Sequence, residues 1–308
     1  MAADAPMNAQ EVAELLRVGK NKVYELAKSG ELASYRVGRK LRFSPSDVDA
    51  YLARRRFGGA QEGAAAGDAD LQAAAPAKAL CVAGDELAAD VLANALARRG
   101  VPTSRSYVDG YRSLIDLYAG TVDAAICALF DQRTNSYNVP FVQRLAPGTS
   151  VIVARLFVRK RGFVVRAGNP KRIASWGALL REGVRIANTR KGSSSRVLLD
   201  EKLLALEATH EMVAGYGDEA SDEMAVLRVL SGDADVCVGT PADVEGQRGL
   251  EFVPLQTEHV DLVVRKSSRT HGLMPLVRRL SENARFKSRL EGLESCNAEM
   301  LGTIVYEC

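Results

Sequence analysis

Apolar positions follow two different rhythms along the chain. Near the N-terminus, Val12, Leu15 and Leu16 fall at helical spacing, and Val23, Leu26 and Ala27 repeat it after a break at Val18-Gly19. That pattern predicts two short helices meeting at a tight turn. After Gly30 the segment LASYRVGRKLRFSP reads as two short strands around Val37-Gly38-Arg39-Lys40, a hairpin with glycine at its turn. Ser46-Asp47 is then placed to cap a helix over VDAYLARRR.

From Gly58 to Ala77 the sequence GGAQEGAAAGDADLQAAAPA has almost no large apolar residue, so it can bury little and is expected to act as a linker. Beyond it the rhythm changes. Short apolar runs alternate with helical stretches: KALCVAG, ELAADVLANALARRG, TSRSYV, GYRSLIDLYAG and DAAICAL. A second alternating set follows, with GVRIAN, SSSRVLLDEKLLALE, MVAGYG, SDEMAVLRVLSG, ADVCVG, PADVEGQRG and LEFVPL. Alternation of this kind predicts βαβ units on a largely parallel sheet, and two sets in one chain predict two lobes.

With 308 residues, 47% apolar and 26% charged, the chain is long enough for two or three globular domains. MAADAPMNAQ has no basic start and no apolar run, and no stretch approaches the ~20 apolar residues that span a bilayer. The expectation is a cytoplasmic, unprocessed protein without membrane contact. Five cysteines (Cys81, Cys127, Cys237, Cys296 and Cys308) form no C-x-x-C pair and no zinc spacing with the three histidines. Three of them lie in β-like runs, where a thiol serves as a small core residue. Neither metal nor cofactor is expected. The net charge of +3 is unevenly spread: through Arg56 there are eleven basic against seven acidic residues, so the excess belongs to the first segment.

The segment MNAQEVAELLRVGKNKVYELAKSGELASYRVGRKLRFSPSDVDAYL resembles the excisionase-like branch of the MerR-type winged helix-turn-helix. The resemblance implies a DNA-binding head over residues 1–57, small and α-helical with a β-wing. Its second helix would bring Lys20, Asn21, Lys22 and Tyr24 to the major groove, while Arg36, Arg39, Lys40 and Arg42 of the wing would meet phosphates.

Residues from about 80 to 290 carry DQRTNSYNVPFV, RGFVVRAGNPKRI, IANTRKGSSSRVLLDEKL, LSGDADVCVG and LEFVPLQTEHVDLVVRK, in that order. They resemble the periplasmic-binding-protein-like domain related to molybdate- and tungstate-binding proteins. The resemblance implies a type II two-lobed α/β fold over 78–308. One lobe would take about 78–160 and 266–308 and the other about 167–258, with crossing strands near Arg161–Arg166 and His259–Val264. The helices near 272–291 would return to the first lobe.

The candidate ligand chemistry sits at a helix N-terminus, where unpaired N–H groups and the helix dipole hold an anion or acceptor. Gly192, Ser193, Ser194, Ser195 and Arg196 have that design, and as plain chemistry the serines would otherwise be an ordinary N-cap. Strand ends opposite would add Gly84, Asp85, Asp109, Gly110 and Asp131, with Asn188 and Ser221 from the second lobe. Relatives carry Gly-Ser at the second loop, where this chain has Tyr107-Val108-Asp109-Gly110. An added carboxylate repels a dianion, so an ammonium or hydroxyl of an organic ligand becomes the alternative partner for Asp85 and Asp109, whose structural role would be helix capping.

Together these features predict a transcription regulator with duplex DNA and a small anion or organic metabolite as partners, acting as a homodimer. A DNA-binding adaptor with a vestigial cleft is the competing reading. An enzyme is not expected: there is no phosphate loop, no G-x-S-x-G, and His210, His259 and His271 lie in unrelated contexts.

Overall fold

The computed structural model describes residues 7–16, 19, 23, 35–37, 40–43 and 79–308. Lys20, Asn21, Lys22, Tyr24, Arg39, the expected linker and the helix expected over VDAYLARRR lie outside the described residues. The chain divides into two units, Met1–Ala73 and Ala74–Cys308.

In the first unit the apolar spacing forms helix α1 (Ala9–Leu16). Asn8 Oδ1 accepts from the Gln10 and Glu11 N–H groups at 2.8 and 3.1 Å, and Glu11 Oε2 accepts from the Asn8 N–H at 2.7 Å. This reciprocal capping box satisfies donors that a helix start otherwise leaves orphaned. Strands β1 (Tyr35–Val37) and β2 (Lys40–Arg42) pair antiparallel with Val37 opposite Lys40, the pairing expected of the hairpin. Arg36, Lys40 and Arg42 therefore lie on the hairpin strands. A bridge between Met7 and Phe43 ties the helix entry to the hairpin exit, and Val12, Val23 and Phe43 are fully buried.

The second unit begins with β3 (Leu80–Ala83), α2 (Leu87–Ala97), β4 (Thr103–Ser106), α3 (Gly110–Ala119) and β5 (Ala124–Cys127). A hairpin of β6 (Phe130–Asp131) and β7 (Ser136–Tyr137) leads to α4 (Val139–Leu145) and the long β8 (Val151–Arg166). Next come β9 (Asn188–Thr189), α5 (Ser194–Ala205), β10 (Glu219–Ala220), α6 (Asp222–Ser231), β11 (Val236–Gly239) and β12 (Leu250–Arg265). The last elements are α7 (Leu273–Ser281), α8 (Ala284–Glu294), β13 (Cys296–Asn297) and β14 (Ile304–Glu307).

The main sheet has the order β11-β8-β12-β5-β3-β4. β3 runs parallel to β4 and β5, whereas β12 is antiparallel to β5 and β8. Strands such as AAIC and VCVG are continuously buried because helices or other strands cover both faces. Among the described residues no cysteine forms a disulfide; Cys127 and Cys237 are buried within β5 and β11 and pack as small core residues.

β8 and β12 are 16 residues each and span both lobes. The outer edge of β8 changes partner along its length: β14 and β13 pair with residues 152–159, and β11 with residues 162–165. The switch falls at Gly162, where a Cβ would lie 2.0 Å from the Val253 carbonyl oxygen and opposite a register shift between Pro254 and Gln256. Only glycine allows the two backbones to approach so closely there. The crossing strands are thus longer than the two short crossings expected. On the first-lobe side they are tied by the buried Arg155–Asp261 pair at 2.5 Å, and Asn138 Nδ2 donates to Asp261 at 2.7 Å.

The first lobe packs α2, α7 and α8 on one sheet face, around Leu92, Leu96, Leu262 and Leu280, and α3 and α4 on the other, around Leu114, Leu117 and Phe141. The second lobe has its own cores around Phe163, Leu199 and Val236 and around Ala225, Val229 and Cys237. The C-terminal helices α7 and α8 pack in the first-lobe core through Leu273, Val277, Leu280 and Leu290. Among the described residues no helix is long and apolar enough to cross a membrane.

Candidate ligand cleft

Where β8 passes between the lobes, a cleft of about 210 Å³ opens, lined by Asp85 and Glu86 from the β3–α2 connection, Arg159 and Arg161 from β8, Ser193 to Ser195 at the start of α5, and Asp222 at the start of α6. Its floor is an ion network. Arg159 donates to Glu258 Oε2 at 2.7 Å and to Glu86 Oε1 at 2.9 Å, with the Glu258 side chain fully buried. Arg161 donates to Ser195 Oγ, joining the crossing strand to the N-terminus of α5. Its Nε stands 3.5 Å from Glu258 Oε1; this is an ion pair without a hydrogen bond, and neither atom has another hydrogen-bond partner among the described residues.

Burial works against ionising Glu86, yet the Arg159 guanidinium beside it holds its carboxyl below the usual range. Asp85 behaves in the opposite way. Although its side chain remains exposed at the cleft mouth, the surrounding protein and then the charges of Glu86 and Asp222 push it up to about 7. Asp222 is also raised, by enclosure first and by Glu86 and Asp243, against the pull of Arg161. Asp85 comes from the first lobe and Asp222 from the second, and among the described residues no side chain pairs with either. Asp243, by contrast, is committed to the Thr240 N–H at 2.6 Å and the Thr240 hydroxyl at 3.0 Å.

The serine cluster forms the N-terminus of α5. Ser193 Oγ accepts from the Arg196 N–H at 3.2 Å, which makes it the N-cap. The N–H groups of Ser194 and Ser195, in the first turn, have no intrahelical acceptor, and both residues line the cleft. The N-cap role weighed for these serines is therefore present, and the same residues line the cleft.

Other candidate residues lie elsewhere. Arg196 points away into a cluster, stacked 4.1 Å from the Tyr216 ring and bonded to Asp200 and the Thr189 carbonyl. Asp131 is buried against Arg144 at 2.6 Å and Thr134. Asn188 donates to the Tyr216 carbonyl, and Ser221 caps α6. Gly84 fits tightly under β5, where a Cβ would meet the Ile126 carbonyl at 2.9 Å, and Gly110 packs on Cys127.

Asp109 caps α3, accepting from the Arg112 N–H at 2.8 Å, and touches the other lobe. A Cβ on Gly192 would lie 2.5 Å from Asp109 Oδ1, and the Tyr111 N–H donates to the Gly192 carbonyl at 3.2 Å. Gly192 also has φ +94°, so only glycine suits this contact between lobes. Gly192→Ala is expected to destabilise the domain by more than about 1 kcal/mol. Asp109→Ser, which keeps a capping hydroxyl while removing the obstructing carboxylate, should recover part of that loss in thermal melts of the double variant. Equal loss in both backgrounds would assign the whole cost to backbone strain.

Glu86, Arg159, Arg161, Asp222 and Glu258 were not among the sequence candidates. Their available signal was a run of charges, Arg155, Arg159, Lys160 and Arg161, inside an otherwise apolar strand.

Comparison with known proteins fits this architecture. Residues 93–281 match the family model of the PBP superfamily domain, and residues 7–56 match a helix-turn-helix domain. An uncharacterized protein YvgK of Bacillus subtilis (strain 168) is 34% identical over 304 residues, 97% of each chain. A Clostridium pasteurianum protein from the 5′ region of a ferredoxin 2Fe-2S gene is 29% identical over 112 residues, 36% of this chain and 99% of that protein. Among solved structures, a mutant of ArgBP from T. maritima superposes with a TM-score of 0.50 at 17% identity, covering 70% of this chain and 95% of that one. EhuB in complex with hydroxyectoine gives 0.50 at 16% identity, covering 72% and 89%. These two likenesses concern the fold.

Proposed function

Because the chain belongs to the PBP superfamily and carries a helix-turn-helix domain at its N-terminal end, we propose that it is a DNA-binding transcription regulator whose second domain senses a small organic ligand in the interlobe cleft. The observation that carries the ligand reading is that Asp85 and Asp222 line the cleft from opposite lobes and neither is held in an ion pair among the described residues, with only Asp222 drawn by a nearby cation, Arg161. Two carboxylates repel across a closing cleft unless a proton or a cation lies between them. A ligand with an ammonium or guanidinium group supplies that cation. Its acceptor end then meets the free N–H groups of Ser194 and Ser195 beside Arg161. A zwitterion satisfies both ends, whereas a molybdate-like dianion meets carboxylates it cannot pair with. Differential affinity for the closed lobes is what lets such a ligand shift the population of states that the DNA-binding head reads.

Thermal melts of the full chain against tetrahedral oxyanions, monocarboxylates, amines and zwitterions test this, since a specific ligand stabilises by mass action. A shift confined to zwitterions or cations is expected. A shift from oxyanions alone overturns the charge argument, and no shift from any class favours an adaptor with an unused cleft. Ser193→Leu should abolish the shift by crowding the α5 N-terminus while leaving DNA binding intact.

DNA binding by the head is expected to fall with salt, because each neutralised phosphate releases counterions. Replacing Arg39 and Lys40 with alanine should weaken binding to all duplexes alike and reduce the slope of log K against log salt by about 1 per lost phosphate contact. An unchanged slope removes the wing from the contact surface. One small head reads few base pairs, so we propose that two copies bind repeated half-sites; footprints covering one isolated half-site would count against that.

A further inference from the structure

We propose that the first lobe carries a second binding site, separate from the interlobe cleft, for a small anion bearing several phosphate charges. It is a groove of about 310 Å³ between α2 and the α7–α8 pair, with Arg98, Arg99, Arg285 and Arg289 around an apolar floor that includes Val91 and Phe286.

The groove follows from helical spacing. Val91, Ala95 and Arg98 fall on one stripe of α2, and Arg285 and Arg289 stand one turn apart on α8. Where the two helices pack, the stripes face one space, and all four guanidinium groups belong to exposed residues. Among the described residues no carboxylate lines the groove. The Arg99 side chain spends one N–H on the Ala95 carbonyl at 3.3 Å, but the side chains of Arg98, Arg285 and Arg289 hold no hydrogen bond or ion pair among the described residues. Some exposed arginines elsewhere are neutralised, Arg112 by Asp116, Arg144 by Asp131 and Arg185 by Asp218, whereas here four converge on one concave space without such a partner lining it.

Helix stability does not account for the cluster. Arg98 and Arg99 lie at the C-terminal end of α2, where the helix dipole favours cations, but Arg285 is the second residue of α8, where the dipole opposes them. That end of α8 is capped by Asn283, itself part of the groove wall. A positive charge held against a helix N-terminus and beside three other arginines lowers stability until an anion arrives. Guanidinium forks match phosphate oxygens two at a time, and four of them call for more than one negative charge. The site is concave and on the scale of a small-ligand pocket, which suits a compact polyphosphate better than the convex edge of a duplex.

The test is calorimetric titration of the full chain with inorganic pyrophosphate, compared with Arg285→Gln/Arg289→Gln and with Asp222→Asn. The expected result is saturable binding at one pyrophosphate per chain, weakened at least tenfold by the arginine double variant and unchanged by Asp222→Asn. Because all of the substituted side chains are exposed, the ligand-free melting temperature of the double variant should not fall, which separates lost binding from lost folding. Absence of saturable binding, or equal binding by the double variant, overturns the proposal. So does a double variant that binds pyrophosphate normally and loses affinity only for duplex DNA, which would assign the arginines to the operator backbone. Since the cleft reading rests on Asp85 and Asp222, either proposal can fail without the other.

Discussion

Glu258→Leu is expected to cost about 3–5 kcal/mol, because it strips the buried counter-charge from two arginines at once. For a domain of this size that corresponds to a melting temperature lower by on the order of 10 °C. Glu258 is fully buried, with Arg159 on one oxygen and Arg161 facing the other. After the substitution Arg159 keeps Glu86 at 2.9 Å, so the uncompensated charge falls mainly on Arg161, whose remaining described hydrogen-bond partner is the Ser195 hydroxyl. Adding Arg161→Met to Glu258→Leu should therefore return a good part of the stability, since replacing a buried pair by apolar groups of similar volume is far milder than breaking it. The rescued protein should nevertheless stay unresponsive to cleft ligands, because the link from β8 to the α5 N-terminus is gone. A melting temperature unchanged in Glu258→Leu would mean that water already reaches this network.

On the sensor function proposed above, the charge of the network serves response rather than stability. An apolar floor would hold β8 and β12 together at least as well. Charges cost desolvation, but they place a guanidinium beside a helix N-terminus and a carboxylate beside a guanidinium, where lobe movement can exchange partners. The strand crossing at Gly162 lies one residue beyond Arg161, so the network sits where the two lobes are joined.

Local pattern revealed most of the architecture. Helix α1 follows from Val12, Leu15 and Leu16, the hairpin from Val37-Gly38-Arg39-Lys40, and the two lobes from alternating strand and helix signals, because each depends on neighbours within a few residues. The serines at the start of α5 were visible for the same reason, since an N-cap is a local event. What the sequence concealed is long-range. Arg159 and Arg161 interrupt an apolar strand and look like a break; their partners Glu86 and Glu258 are 73 and 99 residues away from Arg159. Asp222 reads as an ordinary first-turn acid, and only the facing of the lobes brings it to Asp85. Arg196 looked available because its pattern neighbours are serines, but helical geometry turns it toward Asp200, four residues on. The crossing strands were expected short because charges at residues 155–161 mask a β-run whose charges are neutralised across the sheet.

The acid side of the cleft makes the ligand-free protein less stable as pH rises from about 4 toward 7. Asp85 is pushed from 3.8 up to about 7, first by enclosure and then by Glu86 and Asp222, so in that interval the folded chain keeps a proton that the unfolded chain has released. Stability falls with pH wherever the folded state binds more protons, and the loss is complete once pH passes the folded value. Asp222, also raised, adds to the same trend. Because water in the open cleft screens part of the repulsion, the slope should be modest, and it is best read as a difference: the melting temperature of wild type minus that of Asp85→Asn, measured across pH 4 to 8. The difference should decline through this range, as the wild type acquires a charge that asparagine never carries. A bound ammonium reverses the balance by favouring ionised Asp85, so the zwitterion selected by the panel should bind more tightly at pH 8 than at pH 6 and release a proton on binding below pH 7. Asp85→Asn should remove both the pH dependence and the proton release. If affinity instead rises as pH falls, the carboxylate must be protonated to admit the ligand, and the cleft selects an anion.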